Sequence, residues 1–82
     1  MHERSGTGIT LSVGRLNRLL LYGNKLAVVR DAGRAVVGCV VSGLGEVVPV
    51  GLFDEYLARG WIADVARGER FGITTAGDRR LR

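Results

Sequence analysis

Eighty-two residues, 46% hydrophobic and 24% charged, describe one small folded domain, whose core is too small to enclose a deep substrate pocket. The formal charge is +4 and eleven of the twelve basic residues are Arg, a bias that suits anionic partners through the forked guanidinium and that a GC-rich coding sequence would equally produce. A single cysteine and a single histidine exclude an internal disulfide, a cysteine-cluster metal site and a His–Cys catalytic pair on a rigid element.

Residues 1–9 are polar and glycine-containing and read as a flexible N-terminal arm, so the folded domain is expected over 10–82. Leu16, Leu19, Leu20 and Gly23 then recur at helical spacing. Thr10 or Ser12 is placed to cap that first helix, and Gly23-Asn24 to stop it in a left-handed turn. KLAVVR and AVVGCVV follow, both rich in β-branched residues and separated by Asp31-Ala32-Gly33, which predicts a β-hairpin over residues 25–41. Cys39 sits in the second run, where a buried, inert thiol is expected. SGLGE breaks the pattern, and VVP leads into VGLFDEYLARG. There Leu52, Phe53, Tyr56 and Leu57 share a helical face, with Pro49 at an early position and Gly60 as the stop.

WIADV and RFGIT read as two more strands joined by ARGE, whose Gly68 permits a tight turn. Thr75 stands three residues before Asp78, the spacing of a capping box, and a short helix AGDRRLR ends the sequence. The expected fold is α+β, in the order helix, hairpin, helix, hairpin, short helix. Its core is expected from Leu16, Leu19, Leu20, Val28, Val37, Leu52, Tyr56, Leu57, Ile62, Phe71 and Ile73, with Trp61 at the base of the second hairpin. No apolar run approaches the roughly 18 residues that cross a bilayer. The N-terminus also lacks the apolar stretch of a secretory signal, so a soluble, cytoplasmic protein is expected.

The C-terminal part, about residues 49–82, resembles the closing half of a winged helix-turn-helix domain. Leu57 with Gly60-Trp61-Ile62 is similar to that family's Leu-x-x-x-Gly-hydrophobic-Ile turn. Phe71, Ile73, Thr74 and Gly77 are similar to the aromatic-x-Ile-Thr-x-x-Gly segment that opens its last helix. The resemblance implies a winged-helix-like fold with Arg67-Gly68-Glu69 at the tip of the wing. The N-terminal half departs from it, because a hairpin stands where the middle helix would be. That layout is similar to the small bacterial YjhX-like proteins, a group described as toxin-like or regulatory.

What the resemblance implies is a DNA-binding regulator acting on double-stranded DNA. Arg67 and Arg70 would reach backbone or minor groove from the wing. Arg15 and Arg18 on the first helix, Arg79 and Arg80 on the last, and Arg59 at the end of the second would add phosphate contacts. The second helix argues against base reading, since Asp54 and Glu55 would face the phosphate lattice with only Arg59 to balance them. The alternative is a protein-binding module, such as a mobile-element inhibitor, toxin-like regulator or adaptor. It would use the hairpin edge and Asp54, Glu55, Arg59 and Trp61 as its partner surface, and a homodimer is open to it. An enzyme is not expected, and neither is a cofactor or a metal. Asp54 and Glu55 point about 100° apart on a helix, and no phosphate-binding glycine motif opens a helix.

Overall fold

A computed structural model of the chain describes residues 10–82. The arm expected over 1–9, with His2, lies outside them. The chain runs α1 (Val13–Leu21), β1 (Leu26–Arg30), β2 (Val36–Val41), β3 (Val47–Val48), α2 (Val50–Ala58), β4 (Ile62–Asp64), β5 (Arg70–Ile73) and α3 (Thr75–Leu81). The class is α+β, as expected. Three strands rather than a simple hairpin stand between α1 and α2, because the VVP segment adds β3 to the edge of β2.

Local chemistry sets the helix ends. Ser12, not Thr10, caps α1: its hydroxyl accepts from the Arg15 N–H at 3.2 Å. At the other end Gly23 takes φ +98°. The Asn24 and Gly23 N–H groups then bond to the carbonyls of Leu19 and Leu20, the paired closure of a left-handed stop. α2 ends identically. Gly60 (φ +75°) turns the chain, and Trp61 and Gly60 donate to the Tyr56 and Leu57 carbonyls. The Trp61 ring meets Tyr56 edge-on at 5.1 Å, the side-chain contact that often accompanies such a stop. Pro49 stands one residue before the helix.

All five strands join one antiparallel sheet in the order β3-β2-β1-β5-β4. Leu26 of β1 pairs with Val41 on one side and Phe71 on the other. Side chains alternate across a sheet, so Leu26, Val28, Cys39, Val41, Val48, Ile62, Phe71 and Ile73 share the face that carries the helices. Leu11, the α1 residues Leu16, Leu19 and Leu20, and Phe53 and Tyr56 of α2 close the core over that face. Phe53 meets Phe71 edge-on at 5.0 Å. α1 and α2 are tied by the Tyr56 hydroxyl, which donates to Asn17 Oδ1 at 2.6 Å.

The expected core is corrected at two positions. Val37 is 57% and Leu57 39% exposed. Val37 is the extra residue of a bulge, since Val29 pairs with Gly38 and Arg30 with Val36. Leu57 lies beside the buried stripe of α2 rather than on it. Leu26, Val41, Val48 and Phe53 take their place, together with Leu11, and Cys39 is buried as expected. Tyr22, which follows α1, is exposed. Among the described residues no helix is long and apolar enough to cross a membrane.

The start of α3 differs by one residue from expectation, and the reason is structural. Thr74, not Thr75, is the cap: its Oγ1 accepts from the Gly77 N–H at 3.0 Å and donates to the Gly60 carbonyl at 2.6 Å. Its own N–H bonds to the Trp61 carbonyl at 2.9 Å. One threonine therefore joins the end of α2 to the start of α3. Gly77 completes the joint, because a Cβ there would run into the Trp61 carbonyl and press on Ile73. Backbone cannot yield as a flexible side chain does. Gly77→Ala is expected to cost about 3 kcal/mol, read as a lowered midpoint in thermal unfolding. Thr74→Ala removes a cap and a bridge and should cost about 2 kcal/mol.

Candidate nucleic-acid interface

The last hairpin, β4–β5, turns through Ala66-Arg67-Gly68-Glu69, closed by Glu69 N–H to the Ala66 carbonyl at 2.9 Å. Arg67 has φ +52° and Gly68 φ +79°. Positive φ at both central residues is the two-residue turn whose twist suits a hairpin, and Asn-Gly is its usual sequence. Arg67 occupies the Asn position. The left-handed region costs an ordinary residue about 1 kcal/mol, so this arginine is held there by its surroundings. Asp64 is what holds it: its carboxylate accepts from the Ala66 N–H at 2.9 Å and the Gly68 N–H at 2.6 Å.

The first hairpin has the same peculiarity. Asp31 organises its turn: its carbonyl accepts from Arg34 N–H at 2.9 Å, its N–H bonds to the Ala35 carbonyl, and its Oδ1 accepts from Ala35 N–H. The residue with positive φ is Arg34, at +72°, and not Gly33. The glycine stands one residue ahead of the position that would use it. Because β1 pairs with β5, the two turns sit side by side, and Arg30 fastens them. Its guanidinium donates to the Arg34 carbonyl at 2.9 Å, to the Gly68 carbonyl at 3.4 Å and to Glu69 Oε2 at 3.1 Å.

This end of the sheet thus carries Arg30, Arg34, Arg67 and Arg70 against Asp31, Asp64 and Glu69. Each of the three carboxylates is engaged, two with backbone amides of the turns and one with Arg30. Arg34, Arg67 and Arg70 are exposed, and none pairs with a carboxylate among the described residues. Arg70 precedes the core residue Phe71 and so lies on the open face of the sheet, away from the helices.

The other expected contacts lie elsewhere and are partly occupied. Arg15 makes a two-pronged bond to Glu46, 2.7 Å on each prong. This pairing holds the Glu46 carboxyl below its usual range. Arg59 pairs with Glu55 at 3.1 Å and lies over the Trp61 ring at 5.2 Å, with Arg80 over the same ring at 5.7 Å. Trp61 and Thr74 flank the Ile62–Ile73 pair, at the end of the β4–β5 ladder away from the turn. The seven arginines therefore do not form one surface. Arg67 and Arg70 are at the turn end, Arg59 and Arg80 at the opposite end, and Arg18 and Arg79 are exposed on α1 and α3.

Asp54 and Glu55 also part company. Asp54 lines a shallow groove of about 450 Å³ between β2 and α2, with Val36, Val37, Gly38, Cys39, Val50 and Phe53. Glu55 lines a second groove with Asn17, Leu52, Tyr56, Trp61 and Arg80. Sequence reasoning missed Arg30 and Arg34. The available signal was Asp31 four residues before Ala35, which centres the turn one residue later than Gly33 suggests. No group of three or more His, Cys, Asp or Glu able to hold a metal occurs among the described residues. No protein-family model matches the chain, and no curated protein or solved structure matches it.

Two outcomes follow. Arg67→Asn relieves backbone strain and should raise stability by about 0.5–1 kcal/mol, seen as a higher urea midpoint with unchanged slope. Burial pushes the Cys39 thiol up to about 11 from 9.0. The unfolded chain ionises it first, so its contribution to stability is whole below pH 9 and fades as pH rises toward 11. Native protein at pH 8 should leave a thiol reagent unreacted until denaturant is added. Prompt reaction would contradict that burial.

Proposed function

We propose that the protein is a small DNA-binding regulator that grips the phosphate backbone or minor groove of duplex DNA with the turn end of its last hairpin, used as a wing. The observation that carries this reading is Arg67. A position that asparagine or glycine would fill without strain holds an arginine, with exposed Arg70 three residues on and the local acids already engaged. Strain retained at an exposed charged residue is a functional signal. A net charge of +4 adds a long-range attraction toward DNA. The winged-helix resemblance of residues 49–82 supports the same reading, with Gly60, Trp61, Thr74 and Gly77 of its motif forming the joint between α2 and α3.

Base reading through α2 is not part of the proposal. Its exposed residues Val50, Gly51, Asp54, Glu55, Leu57 and Ala58 offer no guanidinium or amide to a base edge, and Asp54 and Glu55 would repel phosphate. Affinity would come from backbone contacts, with weak sequence preference and strong salt dependence.

A second reading, a protein-binding module, is favoured by the groove beside Asp54, whose rim of exposed Val36, Val37 and Val50 is apolar. Anisotropy with a random-sequence duplex separates the two. Binding at low salt that weakens steeply toward physiological salt is expected, and no binding even at low salt would transfer the function to a protein partner. Arg67→Asn combined with Arg70→Ala should lower affinity for every duplex and flatten the plot of log affinity against log salt by about two contacts. Unchanged binding by that double variant would remove the wing from the interface.

A further inference from the structure

The first hairpin is as suited to the phosphate backbone as the wing, and its tip lies against the wing's. We infer that the turns at Arg34 and Arg67 act as a paired grip, each contributing a guanidinium to neighbouring phosphates of one duplex. This rests on the DNA-binding reading above and extends it to residues outside the wing.

Three observations carry it. The first is register: Leu26 pairs with Phe71 and Ala27 with Arg70, and the Val28 N–H bonds to the Glu69 carbonyl at 3.0 Å. The two hairpins thus run in contact up to their turns. The second is Arg30, whose single guanidinium reaches a carbonyl of each turn and the Glu69 carboxylate. The turns are therefore held in one fixed relation instead of moving as independent loops, and a grip of fixed width loses less freedom on binding. The third is coincidence of strain. Arg34 and Arg67 are the only non-glycine residues with positive φ among those described, they are both arginines, and they occupy the two adjacent tips. Stability alone would place glycine or asparagine at each.

The acids at this end keep their charge, but none is bound to Arg34, Arg67 or Arg70 among the described residues. Asp31 and Asp64 accept turn amides from within each hairpin, and Glu69 is turned to Arg30. Arg34, Arg67 and, on the open sheet face, Arg70 stay exposed. Two guanidiniums carried by a braced pair of turns suit a partner that offers several anions in a row, as a phosphate backbone does and an apolar protein surface does not.

The test uses Arg34→Gly, which removes the charge and also removes the strain, so failure to fold does not cloud the result. Its thermal midpoint should rise above the parent's. Its affinity for a random-sequence duplex at low salt should nonetheless fall several-fold, and the salt slope should drop by about one contact. Arg67→Gly should do the same, the pair together should drop the slope by about two, and Arg34→Lys should restore most of the loss. If Arg34→Gly binds as the parent does while Arg67→Gly is weakened, the paired grip is overturned and the wing reading stands. If the parent binds no duplex, both are overturned together.

Discussion

The first hairpin and the last could each close upon itself and leave a gap in the sheet. What joins them is the short ladder between β1 and β5, two residue pairs and one further hydrogen bond from Val28 to Glu69. Its strength comes from what lies beneath it. Leu26 is fully buried and Phe71 nearly so, the latter set edge-on against Phe53 of α2. Either truncation to alanine would open a cavity worth about 2–5 kcal/mol. An isolated hairpin is marginal in water, and the ladder converts two such units into one sheet with a helix-covered face. The same ladder brings Arg34 and Arg67 to a common end, so core packing and the charged surface depend on one set of pairings.

Much of this was legible in the residues. Three helices and the two main hairpins follow from the spacing of Leu16, Leu19 and Leu20, from the valine runs and from Gly23, Gly60 and Gly68. Periodicity gave less at the sheet's margins. β3 is only two residues long, too short for alternation to register, and it forms because β2 has an edge to offer. The bulge at Val37 shifts alternation partway along β2, so a residue expected inside is outside while Cys39 and Val41 are in. The cap moved from Thr75 to Thr74 because tertiary partners, the carbonyls of Gly60 and Trp61, outweigh the local spacing to Asp78. The pairing of β1 with β5 joins residues more than forty positions apart, and no local pattern encodes it. That is why local pattern does not place Arg30 and Arg34 beside the turn of the last hairpin.

The arginines illustrate how little a charge count says about a surface. Arg15 and Glu46 clasp each other across the start of β3, a two-pronged pair that serves the fold. Arg59 and Arg80 cover the faces of Trp61, and such cation–ring contacts are worth about 0.5–1 kcal/mol where exposed. These groups are partly committed to the protein itself, and any external anion would have to compete with Glu46, Glu55 or the indole. Arg34, Arg67 and Arg70 have no such rival among the described residues. Position in the sequence ranked all of these alike, and only geometry separates them.

Strain and charge coincide at the hairpin tips, and that coincidence bears on the two explanations of the composition. A GC-rich coding sequence would scatter arginine over exposed positions without regard to φ, and glycine is encoded as readily as arginine by such a sequence. Gly33 shows that glycine was on hand within one residue of the left-handed position, yet Arg34 occupies it. In the last hairpin, Gly68 fills one left-handed site and Arg67 the other. Compositional drift has no reason to favour the costlier residue at both tips, whereas the phosphate-binding surface proposed above would. The neighbouring acids strengthen the point, because Asp31 and Asp64 spend their lone pairs stabilising the very turns in which those arginines are strained.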